Sequence, residues 1–149
     1  MDSLLTFATR STENKSVVAA LDATGKNLRE SNLSVLIELI ATSESSDIRR
    51  AAEKGAKRLV EAEKGNSSVS EALARAFKNA LEAAPRQAFL RVLGATGGSE
   101  AARVISDALE SDDTATRISA FAALQGGGNP ATFNPVSYTH LTLPTIYSV

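Results

Sequence analysis

PRQAFLRVLGATGGSEAARVISDALESDDTATRISAFAALQ, residues 85–125, decides the fold. Its apolar residues fall at helical spacing in three segments parted by two turns. Pro85 suits a first helical turn, where its missing N–H costs nothing. Gly97 and Gly98 end that helix, Ser99 caps the next, and Asp112, Asp113 or Thr114 caps the last. The stretch is therefore helix, turn, helix, with the unit beginning to recur.

The same grammar extends towards the N-terminus. Residues 2–9 (DSLLTFAT) read as the remnant of a helix, and 13–28 as a second with Val17, Ala20, Leu21 and Leu28 on one face. Ser31 or Asn32 is placed to cap a helix whose Leu33, Leu36, Ile37 and Ile40 follow the i, i+3, i+4, i+7 rule. Ser46 or Asp47 is expected to cap 48–63. Ser68 with Glu71 has capping-box spacing, ahead of a stripe of Val69, Leu73, Ala76, Phe77, Ala80 and Leu81. Phe77, Phe89 and Phe121 all fall in such stripes and are expected in the core.

Aligning the second helix of each pair puts Lys15, Arg49, Arg86 and Arg117 in one column, at spacings of 34, 37 and 31 residues. Seven residues on stand Asp22, Ala56, Leu93 and Leu124, with Asp22 the exception. LDATG at 21–25 returns as LGATG at 93–97, 72 residues later. A period in the thirties with two helices per unit is the signature of an α-solenoid, in which stacked pairs bury what one pair cannot. The expected fold is all-α: a superhelix of about three to four antiparallel helix pairs over residues 1–130, truncated at one or both ends, then an irregular tail over 131–149.

SEAARVISDALESDDTATRISAFAAL, residues 99–124, resembles a HEAT-like repeat of the bacterial type called the PBS-lyase HEAT-like repeat. Ser46, Asp47, Ile48, Arg49, Arg50, Ala51 and Ala52 match its second-helix opening, as do Asp113, Thr116, Arg117 and Ala120. The middle unit departs from it, with Ala84 and Pro85 where an acidic turn belongs. The resemblance implies a fold more than a function. PVSYTHLTLPTIYSV, 135–149, resembles translated sequencing-adapter read-through and is expected to be foreign to the natural protein; the alternative is an encoded, strand-prone tail.

Composition removes several function classes. The 149 residues are 43% hydrophobic and 22% charged, enough for one folded domain, and a net charge of -1 with interspersed signs steers the chain neither to nucleic acid nor to an anionic membrane. There is no cysteine, which excludes disulfides, thiolate metal sites and a cysteine nucleophile, and the one histidine, His140, lies in the tail. No catalytic residue, cofactor or metal ligand is therefore assigned. Glu110, Asp112 and Asp113 read as a capping turn rather than a cation site, and Gly94, Gly97 and Gly98 as a helix-to-helix turn rather than a phosphate loop. No apolar run spans a bilayer. MDSLLTFATRSTEN carries no visible signal peptide, so the expectation is cytoplasmic if the start is complete, with a periplasmic or secreted parent open otherwise.

Two sets of positions remain as candidates. Arg49, Arg86 and Arg117 are expected to form a structural ladder, each bonding a turn carboxylate or carbonyl. Positions one, five and eight after each share a face: Arg50, Lys54 and Lys57, then Gln87, Arg91 and Gly94, then Ile118, Ala122 and Gln125. That face is expected to line a concave surface, with Arg50, Lys54, Lys57, Gln87 and Arg91 as its partner-binding centre. The expected function is a non-catalytic scaffold for a protein partner, with self-association through uncapped ends. A nucleic-acid-binding module ranks second. A bilin-lyase component, as the resemblance implies, ranks third.

Overall fold

The computed structural model describes residues 13–25 and 27–126. These are all-helical, with seven α-helices and no strand among them. In chain order they are α1 (Asn14–Thr24), α2 (Leu33–Thr42), α3 (Ser46–Ala62), α4 (Ser67–Asn79), α5 (Ala83–Thr96), α6 (Ser99–Leu109) and α7 (Thr114–Gly126), with a 3-10 turn, Glu30–Asn32, ahead of α2. The expected helix over 2–9, His140 and the tail lie outside the described residues.

The helices form two rows. Successive pairs α2–α3, α4–α5 and α6–α7 pack as hairpins; α2, α4 and α6 pack in sequence along one side as a first row, and α1, α3, α5 and α7 along the other as a second row. One apolar core runs between the rows. Its centre is α5, where Phe89, Leu90, Val92 and Leu93 are all fully buried. Each such side chain contributes roughly 1.5–3 kcal/mol over its exposed state. That burial, rather than helix propensity, holds helices of this length in place.

The ends of the helices show where local sequence rules were incomplete. α1 stops at Thr24 rather than near residue 28: the Gly25 N–H donates to the Asp22 carbonyl in a tightened last turn, and the Thr24 hydroxyl donates back to the carbonyls of Ala20 and Leu21, 3.0 Å from each. Leu28 is still buried, from the loop rather than the helix. The N-cap of α3 is Ser45, whose hydroxyl accepts from the Ile48 N–H, and that of α4 is Asn66, which accepts from the Ser68 N–H. Ser46, Asp47 and Ser68 thus lie one or more residues inside. Asn32 does precede α2, but its side chain accepts from the Arg29 N–H instead of capping forwards. Gly98, not Ser99, is the N-cap of α6.

At the last turn Asp113 accepts from both the backbone N–H and the hydroxyl of Thr116, so it serves the start of α7. Those bonds hold its carboxyl below the usual range. Gly97 ends α5 in the left-handed region, φ 68°, where glycine has no steric penalty. Two apolar residues depart from the expected core. α4 ends at Asn79, which leaves Leu81 in the connection and 95% exposed. Phe121 is 44% exposed on α7, whereas Phe77 and Phe89 are buried.

Candidate functional site

The three column arginines all make the same bond. Arg49 donates to the Ser43 carbonyl, Arg86 to Ala80 at 3.2 Å and Arg117 to Ser111 at 2.7 Å, each six residues back. Those carbonyls lie at or just beyond the C-terminal end of the preceding helix, where backbone acceptors have no intrahelical donor. A cation is also favoured there by the helix dipole. Each arginine therefore closes the turn of its own hairpin, and among the described residues none bonds to an adjacent unit. Arg86 additionally lies over the Phe77 ring, 4.7 Å from its centroid.

Burial corrects the column at its first member. Three residues after Arg49, Arg86 and Arg117 stand Ala52, Phe89 and Ala120, all fully buried; in α1 the matching residue is Val17, three after Asn14. The seventh place then holds Leu21, Ala56, Leu93 and Leu124, and exposed Asp22 ceases to be an exception. Asn14, not Lys15, is the counterpart of the arginines. The LDATG and LGATG echo agrees, since Thr24 and Thr96 are both buried and both bond back to carbonyls of their own helix.

With that register, the candidate face gains Lys15, Ala19 and Asp22 from α1. Between α1 and α3 it forms an open groove of about 550 Å³, whose floor includes Val18, Ala19 and Ala51 and whose sides carry Lys15, Arg50 and Lys54 against Asp22 and Asp47. Lys54 reaches Asp22 at 3.3 Å. Further along, Glu53 accepts from Arg91 through both oxygens, at 2.8 and 2.9 Å, and from Lys57 at 3.1 Å. Burial pushes the Glu53 carboxyl up, but the Arg91 and Lys57 bonds and charges outweigh it and leave it below the usual carboxylate range.

These contacts redistribute the expected basic centre. Lys54, Lys57 and Arg91 each spend their charge on a carboxylate of the same surface. Arg50 is exposed and makes no ion pair among the described residues, and Gln87 is half-buried. Gly94 is not on the open face at all: a Cβ built there would lie 2.5 Å from the Ala123 carbonyl oxygen of α7. Ile118, Ala122 and Gln125 do remain exposed at the far end.

Glu53 is the residue that sequence reasoning undervalued. The fourth place after the column holds Val18, Leu90 and Phe121 in the other helices, so an acid in that apolar series signals a specific partner. Among the described residues, no three or more acidic, histidine or cysteine side chains group as a metal site, and no helix is long and apolar enough to cross a membrane. No family model matches the chain, and no curated protein matches it in sequence.

Proposed function

We propose that this chain is a non-catalytic scaffold, a short α-solenoid of HEAT-like pairs that binds a protein segment along its α1–α3–α5 face. The observation that carries the reading is the groove between α1 and α3. It offers an apolar floor, room for side chains of an extended or helical segment, and an exposed Arg50 with no ion-pair partner among the described residues. Such a groove favours an acidic segment with one or two apolar anchors, the charge fixing register and the anchors supplying affinity. The two rows of helices support the solenoid reading because each second-row helix meets the next one in sequence order.

A phosphate backbone is a poorer fit, since it needs cations repeated along its length and Lys54, Lys57 and Arg91 are already paired with Asp22 and Glu53, whereas one acidic side chain beside an apolar anchor needs only Arg50. The test is to select binders from a random peptide display library against the immobilised chain, then measure their affinity by fluorescence anisotropy. Selected sequences should be enriched in Asp or Glu beside an apolar residue, and Arg50→Glu should weaken them about tenfold or more, about 1.4 kcal/mol. Peptides of unbiased charge, or full affinity in the Arg50→Glu variant, would overturn the assignment.

A further inference from the structure

α3 carries two cations to which the described residues give no acid. Arg49 is tied to the Ser43 carbonyl, Lys54 to Asp22 and Lys57 to Glu53. Arg50 and Arg58 are exposed and make no ion pair among the described residues. Both line one open depression of about 330 Å³, together with Glu53, Lys54, Lys57 and Glu61. Its lining belongs to α3 alone, the helix that packs between α1 and α5 in the second row.

Arg58 is also held in place. Its guanidinium lies where a Cβ on Gly25 would stand, at the C-terminal end of α1. Gly25 has φ -56°, an ordinary right-handed value, so its backbone has no need of glycine. Gly97, its counterpart in the LDATG and LGATG echo, is in the left-handed region and does need it. What the missing side chain at position 25 provides is room for Arg58. The end of a helix favours a cation there, which fixes the head group without supplying a counter-ion.

We propose that Arg50 and Arg58 together bind two acidic side chains, four residues apart, of one extended segment. The inference rests on the docking reading of Arg50 and adds the conformation and acid spacing of the occupant. Eight positions along α3 amount to about 12 Å of rise, and an extended chain covers about 13 Å in four residues, with both side chains on one side. Arg50, Lys54 and Arg58 all border α1, through the groove floor, Asp22 and Gly25 respectively. The first acid thus falls at Arg50 beside the apolar floor that takes the anchor. The residue midway falls over the Lys54–Asp22 bridge, whose side chains are 58% and 51% exposed. An extended chain, which lowers every second side chain, crosses that bridge with a short polar residue; a helix about 10–12 Å across is held off by it. Glu61 is exposed one turn beyond Arg58 and has no ion pair among the described residues, so an acid further along meets like charge.

The test uses synthetic peptides with one apolar residue, one Asp, and a second Asp placed two, four, six or seven residues after the first in a Ser and Thr background. They are titrated against the full chain by fluorescence anisotropy. The four-residue spacing should bind most tightly, and Arg58→Glu should weaken that peptide alone, by about three- to fivefold. Gly25→Ala keeps every charge but displaces the Arg58 head group, the far end of a flexible side chain, and should erase the preference for that spacing. Circular dichroism checks that both variants keep their helicity. Equal binding at all spacings, a preference for seven residues, which marks a helical occupant, or an unchanged Arg58→Glu variant would each overturn the inference. Such results leave the docking face standing if Arg50→Glu still weakens every peptide. Binding by no peptide would remove the docking face and this inference together. Tighter binding of a mixed-sequence oligonucleotide than of any peptide would give both arginines to phosphates and overturn it as well.

Discussion

At the scale of single residues, Glu53 decides how α3 and α5 meet. Its side chain is only 10% exposed and that of Arg91 is 39% exposed, so the pair is screened from water on one side and hydrated on the other. Removing the charge should cost about 1–2 kcal/mol, between the small value of a surface pair and the larger one of a fully buried pair. Glu53→Gln is expected to lower stability by that much in urea unfolding at pH 7. The pH dependence follows from the depressed carboxyl. The contribution of Glu53 is fully present above its unfolded value near 4.5 and is lost as pH falls through the lower folded value. The deficit of the variant should therefore shrink at about pH 3; a deficit equal at both pH values would remove the ion pair as its source. The sequence put Lys57 and Arg91 on a shared face but could not show this bond. Periodicity describes one helix at a time, and a contact between residues 53 and 91 depends on how two helices are turned against each other.

At the scale of elements, two helical glycines look alike in sequence and differ in consequence. In a helix interior, replacing glycine by alanine is ordinarily favourable by about 1 kcal/mol. At Gly55 the new Cβ would lie 3.3 Å from the terminal methyls of Leu28 and Leu36, which can turn aside. At Gly94 it would meet the α7 backbone, with the Ala123 carbonyl oxygen at 2.5 Å and its Cα at 3.1 Å. Backbone cannot yield without separating α5 from α7, and overpacking of that kind costs about 1–3 kcal/mol. Thermal melts should show Gly55→Ala unchanged or slightly raised and Gly94→Ala clearly lowered; equal effects would mean that α5 and α7 can part freely. The existence of the helices was legible because apolar spacing is a property of each segment alone. Their ends were less so, since 45–47 and 66–68 offer several residues able to cap and only the path of the chain selects Ser45 and Asn66. The register of α1 was misread by one residue for a related reason: a charge at Lys15 resembled the arginine column, while the buried Val17 and Leu21 fix Asn14 there.

At the scale of the whole molecule, stability should follow the number of neighbours each helix has. α5 packs on α2, α3, α4, α6 and α7, whereas α1 packs chiefly on α3, and α7 on α5 and α6. In a stack whose stability is a sum of unit and neighbour terms, the ends open first and the centre last. Amide hydrogen exchange at low protein concentration should accordingly be slowest in α5, led by the Phe89–Leu93 turn, and fastest in α1, with α7 between. Arginine–carbonyl bonds do not alter that order, because each closes its own hairpin and ties no unit to the next. Uniform protection from α1 to α7 would show one cooperative block in place of neighbour-limited units.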